Sequence, residues 1–194
     1  GERWRVDLGL RYDDFRTRAD NLDIERSDNA VSPSLALRFS PGEIASVTLR
    51  HDRAFRAPSA EELYSTGTHF CLGPGFCNSF TANPDLDPER AANTELLGDL
   101  TLPGFRDGDQ LLIRASVFEN RVDDFIEQIV RAPSFRGRPD PGTTSWVNVD
   151  EARLRGGELS ASYSTGHLQL RLAYGITRGR DETTGEDLSN VPAD

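Results

Sequence analysis

The chain has 194 residues, the length of one ordinary domain, and a formal net charge of −10 at pH 7. That charge argues against a protein that grips nucleic acid through its phosphates, which needs a basic face to release counterions. With 36% hydrophobic and 28% charged residues and no apolar run near the ~20 residues that a spanning helix requires, a helical membrane protein is excluded, but a membrane β-barrel is not, because its strands meet lipid only at every second residue.

Near the start, Trp4, Val6, Leu8, Leu10 and Tyr12 alternate with Arg3, Arg5, Asp7, Gly9 and Arg11, the period of two that marks a strand with one apolar face. The alternation returns at Leu35, Leu37 and Phe39, at Val47 and Leu49, at Leu96, Leu100 and Leu102, and at Leu111, Ile113, Ala115 and Val117. It returns again at Leu159, Ala161 and Tyr163, and most clearly at Leu168, Leu170, Leu172, Tyr174 and Ile176. Seven strands are predicted, at 3–13, 32–40, 44–54, 91–102, 110–125, 145–163 and 167–178, with gaps of about 18, 3, 36, 7, 19 and 3 residues between them.

Most of these strands exceed the ~5–6 residues usual in globular sheets and reach the ~9–11 of a tilted bilayer crossing. Long and short connections alternate. An all-β, up-and-down antiparallel membrane barrel has this asymmetry, with short periplasmic turns and long extracellular loops; a soluble β-sandwich usually shares its long loops between both ends. Arg5, Asp7, Arg11, Arg38, Arg50, Asp52, Glu95, Asp99, Arg114, Glu158 and Arg171 occupy the phase opposite the leucines, where a hydrated lumen accommodates charge. Val6, Leu8, Leu35, Leu37, Val47, Leu49, Leu111, Ile113, Leu170 and Leu172 are therefore expected to share a lipid-facing side. Tyr12, Tyr163 and Tyr174, near the predicted strand ends, resemble an interfacial aromatic belt.

The chain opens on strand-like residues, Gly1-Glu2-Arg3-Trp4, with no signal peptide, so both ends are expected to be cut from a longer protein. No repeat, low-complexity tract or linker divides residues 1–194, which are taken as one partial domain. Cys71 and Cys77, with five residues between them, lack the spacing of a CxxC zinc or redox pair and suit a short bridge in an oxidising compartment, with metal ligation as the lesser alternative. Gly73-Pro74-Gly75 between them is a turn former suited to a type II bend.

Four segments carry a family likeness. Arg53-Ala54-Phe55-Arg56-Ala57-Pro58-Ser59-Ala60-Glu61-Glu62-Leu63-Tyr64 and Asn83-Pro84-Asp85-Leu86-Asp87-Pro88-Glu89, running on to Asn93 and Glu95, bracket the longest gap. They are followed by Asn148, Ala152, Gly156 and Glu158 in one strand and by Gly185, Leu188, Asn190 and Pro192 near the end. This series resembles TonB-dependent receptors, whose barrels carry FRAPS-xx-ELY and NPxLxPE boxes on either side of one large extracellular loop. The resemblance implies an outer-membrane barrel of about 22 strands, of which this chain would supply seven to eight. It also implies a plug and a TonB box upstream, and no enzyme.

Proline explains part of these boxes without any ligand: Pro58 cannot donate to a ladder and so ends a strand, while Asn83-Pro84 and Asp87-Pro88 are turn formers. The family motif positions Phe55, Arg56, Ala57, Pro58, Asn83, Pro84, Asp85 and Leu86 thus have a scaffold reading beside the functional one. Between the boxes lie His69, Tyr64, Phe70, Phe76 and Phe80. In heme and hemoglobin receptors of the family a histidine here is an axial ligand to heme iron. The resemblance therefore implies His69 as iron ligand, the aromatics against the porphyrin, heme as transported cargo, and hemoglobin or a hemophore as extracellular partner. Ferric siderophore uptake is the second reading and cobalamin a third. His51, inside a strand, and His167, at a short turn, carry no such implication. Adjacent carboxylates Glu61-Glu62 and Asp123-Asp124 point to opposite faces of a strand, and no GxSxG, HExxH or glycine-rich phosphate loop occurs.

Overall fold

The computed structural model describes residues 3–19, 24–134, 140–188 and 191. Its strands are β1 (Trp4–Ala19), β2 (Ile24–Phe39), β3 (Ala45–Arg56), β4 (Gly67–Gly73), β5 (Phe76–Phe80), β6 (Glu89–Pro103), β7 (Gln110–Arg131), β8 (Thr143–Ser164) and β9 (Gln169–Asp181), with one short helix, α1 (Ala60–Tyr64), after β3. β1, β2, β3, β6, β7, β8 and β9 form an antiparallel up-and-down meander. The β4–β5 hairpin joins the same sheet through a short parallel pairing of β5 with β8. Among the described residues β1 and β9 do not pair, so the sheet stays open.

The seven sequence-predicted strands are all present but too short as read. The expected 18-residue loop after residue 13 is mostly strand, because β1 and β2 stay paired up to Ala19 and Ile24. The expected loop at 126–144 likewise shrinks, as β7 and β8 pair up to Arg131 and Thr143. Alternation records a contrast between lipid and water, and above the bilayer both faces of a strand meet water, so the signal fades while the hydrogen-bond ladder continues. Tyr12 and Tyr174 consequently lie well inside β1 and β9, not at strand ends.

Register confirms the two faces. Val6 pairs with Leu37, Leu37 with Leu49, Leu49 with Leu96 and Leu96 with Val117; Leu111 pairs with Tyr163 and Tyr163 with Leu170, while Ile113, Ala161 and Leu172 form the next row. Residues directly opposite one another share a face, so the ten-residue lipid-facing set lies on one side. Eight of the ten are exposed, Leu8 at 80% and Leu172 at 77%, and Leu111 and Ile113 are half-buried; a water-soluble sheet would bury such side chains. The opposite phase holds charge beside polar or opposite partners: Arg114 donates to Asp99 at 2.7 Å, Arg50 forms an ion pair with Asp52 at 2.8 Å, and Arg38 donates to the hydroxyl of Ser46 at 2.9 Å. The short connections after Phe39, Pro103 and Ser164 sit at one end of the sheet, and the large loop between β3 and β6 and the connection from β7 to β8 sit at the other.

The buried core is not in the membrane band. One cluster joins Leu63 of α1 and Leu86 to Ile126 and Trp146; a second joins Val122 and Ala152 to Leu188. Both lie at the long-loop end and on the charged phase, so the loops fold onto the lumen side.

In the intact protein reconstituted in phospholipid vesicles, Leu49→Arg should destabilise by about 2–4 kcal/mol, the cost of an arginine near the midplane on the lipid face. Thr48→Arg, one residue earlier and on the other face, should cost far less. Urea unfolding followed by tryptophan fluorescence measures both, and equal costs would overturn the assignment of faces.

Candidate functional site

The large loop after β3 is built by its two boxes. Pro58 ends the strand, and Ser59 caps α1: its hydroxyl accepts from the Glu62 amide at 3.2 Å while the Glu62 carboxylate accepts from the Ser59 amide at 2.7 Å, a reciprocal capping box. Arg56 then ties the boxes together. Its Nε and Nη2 donate to the two oxygens of Glu89, both at 2.7 Å, and its Nη1 donates to Glu62 at 2.9 Å. Burial works to raise the Glu62 carboxyl, but its bonds to Arg56 and Ser59 outweigh this and hold it below its ordinary range. The same bond to Glu89, opposed by burial, raises the Arg56 guanidinium.

Four more bonds close the return path. The Asn83 amide donates to the Leu63 carbonyl at 3.0 Å and its side chain to the Trp146 carbonyl at 2.9 Å. Asn148 accepts from the Asp87 amide at 2.8 Å, and its side chain donates to the Asp124 carbonyl at 2.7 Å. Leu63 and Leu86 are buried to 0% and 1% exposure beneath this frame. Arg26, from the upper part of β2, donates to the Leu86 carbonyl at 2.5 Å while paired with Asp28 at 2.7 Å.

The other two boxes also meet. Asn148, Ala152 and Gly156 lie on one phase of β8. Ala152 is fully buried against Leu188, and a Cβ on Gly156 would come within 2.5 Å of the Phe118 ring. Of the last box, Ser189, Asn190 and Pro192 lie outside the described residues. Phe55, Pro58 and Leu86 are buried and Ala57 and Asn83 half-buried, whereas Arg56, Pro84 and Asp85 are exposed. Most box positions therefore serve the scaffold.

His69 stands on the β4–β5 hairpin, which carries no box. Thr68 pairs with Ser79 but Phe70 with Asn78, leaving His69 as the extra residue of a β-bulge, a device that re-aims a side chain out of a ladder. The hairpin is closed by the Cys71–Cys77 disulfide across the Pro74-Gly75 turn, where Gly75 has φ +72°; such a bridge contributes about 2–3 kcal/mol by limiting the unfolded chain. β5 lies along the edge of β8 beyond the end of β9, where Phe80 stacks on Trp146 with centroids 5.5 Å apart.

The exposed His69 ring lies 4.5 Å from the centroid of Phe80 and 5.1 Å from that of Phe70. Its Nδ1 is 3.0 Å from the hydroxyl of Thr144, which is fully buried, as is Asn78 beside it. Of the aromatics expected near His69, Phe70 and Phe80 are there. Tyr64 instead packs against the Leu63–Leu86 cluster, and Phe76 sits past the disulfide at the hairpin tip, opposite Gly73. Thr144, Asn78 and Trp146 were not legible as site residues: two of them come from a strand some 75 positions beyond His69, with no local motif. Among the described residues no three His, Cys, Asp or Glu side chains converge as a metal site, so His69 is a single nitrogen donor on an aromatic shelf.

Comparison with known proteins agrees with this architecture. Residues 1–194 match the protein family described as TonB dependent receptor-like, beta-barrel. The heme/hemopexin utilization protein C of Haemophilus influenzae is 36% identical over all of this chain, which spans 28% of that protein. The hemin receptor of Yersinia pestis is 29% identical over 96% of this chain and 27% of its own length. Two solved structures share the fold: the Serratia marcescens hemophore receptor HasR, determined with its hemophore HasA and heme (TM-score 0.66, 22% identity, 90% of this chain and 30% of that one), and the copper transporter OprC (TM-score 0.70, 23% identity, 96% and 28%).

Arg56→Leu should release α1, because Glu62 and Glu89 would face each other without their shared cation; amide exchange at Glu62 and Leu63 should speed up at least about tenfold, equivalent to 1.4 kcal/mol or more. Unchanged protection would show that the clamp carries nothing. The acid response has a fixed sign. Because the Glu62 carboxyl is lowered on folding from its ordinary 4.5, its contribution is complete above that value and is lost as pH falls through the lowered one. Protection factors of the α1 amides should therefore hold steady from neutral pH to about 4.5 and drop below it, and Glu62→Gln should flatten the profile.

Proposed function

Because the chain belongs to the family of TonB-dependent receptor β-barrels, a family of the outer membrane, we propose that it supplies part of the wall and the largest outer loop of a heme uptake receptor, with His69 as an axial ligand to the heme iron. The observation that carries this is the placement of His69. It is an exposed imidazole turned out of its ladder by a bulge, anchored through Nδ1 and flanked by two aromatic rings. An imidazole nitrogen suits heme iron, and aromatic faces suit the porphyrin.

The relatives named for heme/hemopexin utilization and hemin reception support the cargo, and the fold by itself does not, since the copper transporter shares it. This chain spans 28% of the first of those relatives. We assign the plug and the segment that engages TonB to other parts of the intact receptor, and hemoglobin or a hemophore to the outer face as heme source. The role is binding and passage, with no catalysed reaction. Phe70 and Phe80 would cover the porphyrin; Tyr64 supports the loop from beneath.

Heme titrated into the intact receptor should shift its Soret band. His69→Ala should weaken binding by at least about tenfold, as expected when a group that holds a metal is lost, and leave barrel assembly unchanged because the ring is exposed. A ferric siderophore, whose own donors fill the iron's coordination sphere, needs no imidazole. No Soret shift in wild type would remove the heme function, and an unaltered shift in the variant would remove His69 from it.

A further inference from the structure

We infer that Asn78 and Thr144 form a buried relay that fixes His69 in its Nδ1-protonated tautomer, so that Nε2 presents a bare lone pair. As a ligand-presenting device the relay rests on the heme reading above; as a tautomer lock it stands on geometry alone. The chain of bonds starts at a carbonyl, which can only accept. The Asn78 Nδ2 donates to the Arg131 carbonyl at 2.8 Å, which fixes which end of the amide is nitrogen and leaves Oδ1 as acceptor. The Thr144 hydroxyl donates to that Oδ1 at 2.7 Å. A hydroxyl has one proton, so the Thr144 oxygen can only accept from the His69 nitrogen 3.0 Å away.

Nδ1 is therefore the N–H, and in a neutral imidazole Nε2 is then the unprotonated nitrogen. Asn78 and Thr144 are both fully buried, so water cannot take either partner's place. The polarity of the relay is set by the β7 backbone, three bonds from the ring. An N–H donated to an anchored acceptor orients an imidazole and strengthens its other nitrogen as a donor to metal. Backbone pairing of Ser79 with Thr143 and the bond from the Thr81 amide to the Thr144 carbonyl at 2.8 Å hold the hairpin on β8 independently of the relay. Removing the hydroxyl should leave the hairpin docked.

Thr144→Val removes the hydroxyl at nearly constant volume, and Thr144→Ser keeps it. The tautomer is read without heme, by nitrogen NMR of the intact receptor labelled at histidine, with His69 assigned by its disappearance in His69→Ala. Wild type and Thr144→Ser should show Nδ1–H, and Thr144→Val should not hold it. In heme titrations Thr144→Val should lose roughly 10–100-fold in affinity, the range for loss of an outer-shell partner, and lose nothing further on a His69→Ala background. A hydroxyl that merely packs the hairpin predicts equal losses on both backgrounds, which would overturn the proposal. An Nε2–H tautomer in wild type would overturn it whatever the heme result, whereas a wild type that locks the tautomer but never shifts the Soret band sinks the heme reading instead.

Discussion

Arg56 terminates β3 with one guanidinium shared between Glu62 on the outgoing side of the large loop and Glu89 on its return. The fork to Glu89 is bidentate, the geometry in which arginine binds a carboxylate most specifically. Everything between residues 57 and 88 is closed by this contact. Only with the loop ends held together do Leu63 and Leu86 meet, and only their joint burial with Ile126 and Trp146 gives the outer end of the sheet a core. The hairpin bearing His69 springs from that frame, so its reach to β8 follows from the clamp.

The four family boxes meet in pairs, and Asn148 of the third also bonds to Asp87 of the second. The first and second are joined by Arg56–Glu89, and the third and fourth by Ala152 beneath Leu188. Each pair brings a strand top together with the chain that must fold back over it. The proposed cargo site lies elsewhere, on a hairpin held by a disulfide and paired to β8 by residues that belong to no box. A scaffold shared across the family can thus carry different ligands, because loops on a rigid frame change without disturbing it.

Strand length divides the molecule along its axis. β7 and β8 have 22 residues each, about 70 Å at ~3.3 Å per residue, against an apolar band of ~25 Å. Because the strands are tilted a crossing takes about 9–11 residues, so about half of their length is a hydrogen-bonded wall outside the lipid. That wall gives the loops a rigid surface, and it gives β8 a free edge beyond β9 for the hairpin to join.

By itself the sequence determined the barrel class, the two faces of the seven predicted strands, the place of the large loop between its two boxes, the disulfide and the candidate histidine. All of these depend on local alternation, on proline and glycine chemistry or on boxes contiguous in the chain, and lipid enforces the alternation by rejecting charge on one side. Only the tertiary structure decided where the strands stop, since above the bilayer no solvent contrast marks their ends. It alone placed Thr144 and Asn78 behind His69, turned His69 out of its ladder, and sent Tyr64 and Phe76 away from it. The placement of Thr144 and Asn78 arises from bonds between residues 53 to 75 positions apart, which no periodicity within a segment can encode.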